Sequence, residues 1–425
     1  MLTAISRYGA RVLPDTERIV EDCRRRGTLV RGAQLAEFEE AFARRAGGGR
    51  AIAASYGRMA FFYILQALQL PPGSEIVIPA LTFWVVPALA RAAGLKVVFA
   101  DVDPQTFNID PDSFERAITA RTRAVVPTHL YGLPCDMDAI LAIAHRHRLA
   151  VIEDCAHSLG ATYRGQPVGT IGDAGFFSFQ TLKPLNTYGG GMALVRDPAL
   201  AERVSAIAAN EPWPSEKRVM ERLWKGRLQR IFIKPWVFSI SLFPILWVAS
   251  WIDASPDVFL WEKIRPLDPL PPDYTERYSN VQAAIGLASL ERLDDWTERS
   301  REHARIMDQA LGDLPGVTIP HVPSGRTHVY YQYCVYGPDR DELVVRCVRR
   351  GIDIETLHVD VCPELELFAD SRIDAPGARQ ASQAIQVPVY SRLTDEQTRR
   401  VARHVRRALS RATQRGVGAS QLTHS

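Results

Sequence analysis

Between residues 50 and 200 short, continuous apolar runs alternate with segments of helical period. The runs are "RAIAASYG", "SEIVIPALTF", "LKVVFADVD", "RAVVPTHLYG", "LAVIEDCAHSLGA", "DAGFFSFQ" and "GGMALVRD". Between them stand "RMAFFYILQALQL", "WVVPALARAAG", "DPDSFERAITA" and "DMDAILAIAHRHR", whose apolar residues recur three and four apart. Strands apolar on both faces must be covered on both faces. The pattern therefore predicts an α/β domain over residues 1–210, with a mostly parallel sheet of seven strands flanked by helices. Beyond about residue 300, "HVYYQYCVYG" and "SQAIQVPVY" read as strands, and "RDELVVRCVRRG" and "TDEQTRRVARHVRRAL" as helices. That is a smaller C-terminal α+β domain within 273–412. The polar end, 413–425, is expected to be a disordered tail.

Residues 211–272 break this rhythm. After Lys234 no charge occurs until Asp253, and the run 231–252 is almost wholly apolar. A basic stretch, "EKRVMERLWKGRLQR", precedes it, and Trp224, Trp236, Trp247, Trp251 and Trp261 punctuate the insertion. About 20 apolar residues can span a bilayer. Pro235 and Pro244 interrupt helices, however, which favours a re-entrant or interfacial hairpin whose basic and tryptophan residues meet lipid over 217–252. A hairpin buried in protein, or an extended dimer interface, is the alternative.

Composition adds limits. The chain has 425 residues, 46% hydrophobic and 23% charged, which suits a globular protein of two lobes. A net charge of +3 gives no electrostatic case for nucleic acid. The six cysteines are scattered without a CxxC pair, so no metal site or disulfide framework is expected. The N-terminal stretch lacks an apolar signal core, and a cytoplasmic location is expected.

The chemistry gathers at the ends of the predicted strands, where ligands of open α/β sheets bind. In "FSFQTLKPLNTYGGGMALV" one lysine, Lys183, stands among apolar residues ahead of Gly189–Gly191. Asp154 closes the preceding apolar strand. Pyridoxal phosphate needs such a lysine for its aldehyde, and a carboxylate to keep its ring nitrogen protonated. It also needs N–H donors at a helix start for its phosphate. The turn at Gly57–Arg58 and the hydroxyl of Ser178 answer the last requirement.

Long ordered stretches carry a family resemblance: "GTLVRGAQLAEFEEAFARRAG", "VIPALTFWVVPALARAAGLKVVFADVDPQTFNID", "VIEDCAHSLGATYRGQPVGTIGDAGFFSFQTLKPLNTYGGGMALV", "YSNVQAAIGLASLERLDDW" and "AIQVPVYSRLTDEQ". Over most of residues 20–405 the chain resembles the DegT/StrS-type sugar aminotransferases, which are pyridoxal-phosphate-dependent enzymes of the aspartate aminotransferase fold (fold type I). The resemblance implies that Lys183 binds the cofactor aldehyde and moves the proton. Asp154 would hold the ring nitrogen, His157 would lie near the phenolic oxygen, and Phe83 would stack on the ring. Gly57, Arg58, Met59 and Ser178 would receive the phosphate. Where the family supplies an Asn from the neighbouring subunit, Thr275 stands, and where it has Gly-Thr, Gly57-Arg58 stands. Arg58 either binds phosphate or is a solvated helix-start residue. Arg277, His328 and His358 are the implied substrate contacts, with a surface ion pair the alternative for Arg277.

The implied reaction takes an amine from a donor, usually glutamate, and gives it to a keto-sugar on a nucleotide, or on a lipid if the insertion meets membrane. The partners implied are these two substrates and a second copy of the chain in a homodimer, with a dimer-contact helix after residue 273. Both chain segments flanking the insertion must then build one site, so a single crossing of a membrane is excluded, and the protein is expected on its inner face. A sugar dehydratase is the alternative enzyme, although relatives of that kind carry His where Lys183 stands. A silent binding or regulatory protein on the same fold is the third reading.

Overall fold

The computed structural model describes residues 3–9, 11, 13–251, 263–356 and 359–422. Seven strands form the central sheet: Arg50–Ala54, Glu75–Pro79, Lys96–Ala100, Thr122–Val125, Ala150–Asp154, Ala174–Ser178 and Gly191–Val195. From one edge the order is first, seventh, sixth, fifth, fourth, second, third. The strand Gly191–Val195 runs antiparallel to both its neighbours, and the other pairings are parallel. This is the architecture the apolar runs predict, with helices on both faces.

The helix Gly57–Leu68 shows why the cover works. Nearly every side chain in it is buried, from Met59 and Phe61 to Leu65. It packs on the seventh and sixth strands and ends at Gln69, in the left-handed region. Three further helices start on aspartates, Asp110, Asp136 and Asp197, whose carboxylates accept backbone N–H groups of their first turns. Such caps satisfy donors that a helix start leaves open.

The smaller domain pairs Tyr333–Val335 with Ile385–Val387, antiparallel. The helices Leu293–Leu311, Arg340–Val348 and Asp395–Leu422 cover it around Met307, Leu311, Leu343 and Val405. The last helix runs into the segment expected to be a disordered tail. The N-terminal arm joins this core from far away in sequence. Ile5 exchanges backbone hydrogen bonds with Gly351 and Asp353, and Arg7 pairs with the buried Asp353 at 2.7 Å.

The apolar insertion forms three short helices, Glu216–Phe232, Pro235–Ile240 and Leu242–Ala249. Among the described residues no helix is long and apolar enough to cross a membrane.

Candidate active site

The parallel strands point their C-terminal ends at one edge, and two chain crossings there are unusually close. A Cβ on Gly57 would stand 2.7 Å from the Phe177 carbonyl and 2.8 Å from Cβ of Ser178. A Cβ on Gly191 would stand 2.3 Å from the backbone of Gly57. Only glycine lets the helix start meet the strand ends so closely. The helix therefore aims its first N–H groups at the space beside Ser178, which suits an anion.

Asp154 is buried at the end of its strand. Its Oδ1 accepts the Ala156 N–H at 3.0 Å. Burial pushes its carboxyl above the ordinary range, while the Ala156 N–H, Lys183 and His129 pull it back. A protonated ring nitrogen beside it would restore its negative charge. Behind it, His129 donates its backbone N–H to the Asp154 carbonyl at 3.0 Å. His129 Nδ1 accepts the Cys135 N–H, and its Nε2 donates to Glu153 at 3.0 Å. Glu153 also accepts the N–H groups of Gly169, Ile171 and Gly172. His129, Glu153 and Cys155 lie close enough to suggest a metal site. Both histidine nitrogens are already engaged, however, so the trio reads as a brace for the Asp154 strand.

Lys183 lies in the loop between the sixth and seventh strands, its N–H bonded to the Gln180 carbonyl. Desolvation lowers its ammonium from the usual 10.5 to about 8, Asp154 opposes that shift and Arg58 adds to it. Nζ lies 4.9 Å from the centre of the Tyr331 ring. The loop is held from behind. Tyr278 donates to Thr187, and Gln282 donates to the carbonyls of Thr187 and Gly189. Arg11, from the N-terminal arm, donates to the Pro184 carbonyl at 3.1 Å.

The other expected residues fall into three groups. His157, Phe83, Arg58, Met59 and Ser178 surround this edge. The His157 ring stacks on Tyr331 at 4.2 Å and lies 6.3 Å from Tyr131. The Arg58 guanidinium sits among Tyr56, Phe83 and Tyr274 at 5.5, 5.6 and 5.1 Å from their ring centres and donates to the Tyr274 hydroxyl. Met59 is fully buried beneath it. The second group is engaged elsewhere. The Thr275 hydroxyl turns to the Pro272 carbonyl at 3.5 Å, while its neighbour Tyr274 reaches Arg58 of the same chain. Arg277 lies over Trp213 at 4.0 Å. His328 is stacked on Tyr330, its Nδ1 accepts the Tyr330 N–H, and burial lowers its imidazole to about 3. It is neutral there and serves as an acceptor. His358 lies outside the described residues.

Four side chains that local sequence did not single out complete the edge: Tyr331, Tyr274, Tyr131 and Glu355. Glu355 raises Lys183 electrostatically and is itself held by the hydroxyl of Tyr8 and, at 3.0 Å, by Gln332. The signal available was the aromatic density of "HVYYQYCVY", which the strand reading absorbed, and of "DYTERY".

This donor set fits pyridoxal phosphate: a lysine of lowered basicity, a buried carboxyl, and a helix start that no Cβ obstructs. The comparisons agree. The sequence pattern of the "DegT/DnrJ/EryC1/StrS aminotransferase family" matches residues 14–225 and 258–406 and passes over 226–257, the apolar run. A "pleiotropic regulatory protein" of Geobacillus stearothermophilus is 32% identical over 92% of this chain and 94% of its own. The GDP-perosamine synthase of Caulobacter vibrioides is 34% identical over 76% of this chain and 75% of its own. The crystal structure of the aminotransferase TlmJ from Streptoalloteichus hindustanus superposes with a TM-score of 0.77 at 26% identity, covering 96% of this chain and 99% of that one.

Proposed function

This chain belongs to the DegT/DnrJ/EryC1/StrS aminotransferase family and is a pyridoxal-phosphate-dependent sugar aminotransferase, and we propose that it moves the amino group of glutamate to a keto-sugar carried on a nucleotide or a lipid. We place the enzyme at the inner surface of the membrane, as a homodimer.

Bound in this site, the cofactor would supply an electron sink for the charge left when a proton leaves the carbon bearing the amine. The chain's residues do the rest. The neutral fraction of Lys183 takes that proton and returns it, and an amine titrating at about 8 is largely protonated at neutral pH yet releases protons readily. Asp154 holds the ring nitrogen's proton. The first N–H groups of the helix Gly57–Leu68, Ser178 and Arg58 receive the phosphate. His157, fixed by its stack on Tyr331, orients the ring's phenolic side.

The observation that carries this reading is the gathering at one sheet edge of Lys183, the buried carboxyl of Asp154 and a helix start that no Cβ obstructs. Glutamate as donor follows from the resemblance. The membrane surface is supported by the exposed tryptophans of the insertion. The test is the visible spectrum of the purified protein with pyridoxal phosphate, before and after glutamate. A band that Lys183→Ala lacks and glutamate bleaches supports both halves of the proposal. A band that glutamate leaves untouched rejects the donor, and no band rejects the site. Sedimentation velocity tests the dimer.

A further inference from the structure

Among the described residues, every exposed large apolar side chain lies between Met220 and Ile264. Trp224 is 59% exposed, Trp236 62% and Ile240 72%, with Ile245, Trp247, Val248 and Trp251 alongside. A soluble surface rarely gathers such a patch without something to cover it. Charge identifies what covers it. Residues 216–251 hold seven basic and two acidic residues, and Glu276 and Glu17 pair with Arg218, Arg222, Arg227 and Arg230, which leaves the insertion and its ion partners at a net +3. A second copy meeting this face about a two-fold axis would set like charge against like, with Lys217, Lys225 and Lys234 among the residues opposed. An anionic bilayer sets negative charge against it and accepts tryptophan at its interface. The three helices are of 17, 6 and 8 residues, too short to span and suited to lying in the interface.

The opposite face of the first of these helices touches the active site. A Cβ on Gly226 would lie 2.2 Å from the Tyr188 ring, so the helix is pressed against that ring. Arg230 donates to the Tyr188 hydroxyl at 3.3 Å. Tyr188 belongs to the Lys183 loop and holds a left-handed backbone, φ +61°. Arg222 bonds Glu276 at 3.5 Å and lies 5.4 Å from the ring centre of Tyr56, the residue that opens the phosphate-facing helix. At the far end of the insertion, Arg349 of the smaller domain lies over Trp251 at 3.7 Å and donates to the Ser250 carbonyl. One helix thus exposes Met220, Trp224 and Phe232 on one side and meets the lysine loop on the other.

We infer that the insertion is an interfacial sensor: docking of its apolar face on an anionic bilayer alters cofactor hold and amine transfer at Lys183 through the helix Glu216–Phe232. This rests on the membrane-surface reading above. It goes further in making the bilayer a regulator rather than an anchor alone.

The experiment uses holoenzyme with vesicles of phosphatidylcholine, with or without phosphatidylglycerol. It reads co-sedimentation, cofactor affinity by absorbance titration, and the rate at which glutamate changes the cofactor band. The expected result is sedimentation with the anionic vesicles only, with a several-fold change in affinity or rate. The triple variant Trp224→Ser, Trp236→Ser, Trp247→Ser should lose sedimentation and response while keeping its activity in solution. Arg230→Gln should keep sedimentation and lose the response. Sedimentation with unchanged affinity and rate overturns the sensor and leaves the membrane reading standing. No sedimentation overturns both. A dimer that the triple variant turns into monomer assigns the face to a second copy and also overturns both. Cofactor affinity reads the sensor even if glutamate proves not to be the donor.

Discussion

The guanidinium of Arg58 and the ring of Phe83 share one space, 5.6 Å apart, at the mouth of the helix start. Tyr56 and Tyr274 close two further sides of this cage. A cation held there by aromatic faces keeps its charge and also lowers the basicity of Lys183. Arg58 therefore brings a positive charge to the helix start, which suits an anion. Arg58→Ala is expected to weaken pyridoxal phosphate binding by about 10- to 100-fold, the worth of a charge-assisted hydrogen bond. Arg58→Lys should recover only part. Absorbance titration of the apoprotein reads both, and unchanged affinity in the alanine variant would return Arg58 to the solvated reading.

Lys183 gives a pH prediction. The neutral amine is the form that attacks an aldehyde, and burial lowers its protonated form from 10.5 to about 8. Uptake of pyridoxal phosphate by the apoprotein should therefore quicken as pH rises through about 8 and level off above it. Stopped-flow absorbance across pH 6 to 10 checks this. A rate still climbing steeply toward 10.5 would mean that the lysine is solvated.

Gly190 has φ +99°, and a Cβ there would stand 2.1 Å from the Tyr278 ring. Both the backbone and the space forbid a side chain. Gly190→Ala is expected to cost about 2–4 kcal/mol, more than a permissive glycine replacement. The urea midpoint of unfolding measures it, and cofactor affinity should fall with it because the strain lies in the lysine loop.

Arg7 and Asp353 form a buried pair that ties the N-terminal arm to the smaller domain. Arg7→Ala leaves the Asp353 carboxylate buried without that partner, at a cost of about 3–5 kcal/mol. Burial already pushes Asp353 above the ordinary carboxyl range. Losing Arg7 should raise it further, so the variant should lose more stability at pH 8 than at pH 5. Thermal melts at the two pH values test the sign.

The strand–helix rhythm of 50–200 was legible because each strand is apolar on both faces and each helix has a clear period. Lys183 and Asp154 were legible because a strand end is marked by the first polar residue after an apolar run. Arg58, Phe83 and His157 required the resemblance, since a helix-start arginine or a strand-end histidine carries no mark of its own. Tyr331, Tyr274 and Glu355 were missed because their place in the site comes from packing of segments over a hundred residues distant. Thr275 was assigned by alignment of motifs to a phosphate of the neighbouring subunit; within this chain its hydroxyl meets the Pro272 carbonyl and its neighbour Tyr274 receives Arg58. The insertion was visible as an apolar run. Its grip on Tyr188 was not, because Gly226 reads locally as a poor helix residue, and only the ring pressed against it gives the glycine a reason.

The N-terminal arm has a consequence for biosynthesis. Tyr8 emerges early from the ribosome, yet its partner Glu355 is 347 residues further on. The arm must wait, unpaired, while the central sheet is translated and folds. Arg11 can find Pro184 sooner, since the two are 173 residues apart. The large domain can thus collapse co-translationally, but the wall of the pocket that Glu355 provides closes only when that residue arrives. Completion of the pocket therefore comes later in synthesis than collapse of the sheet.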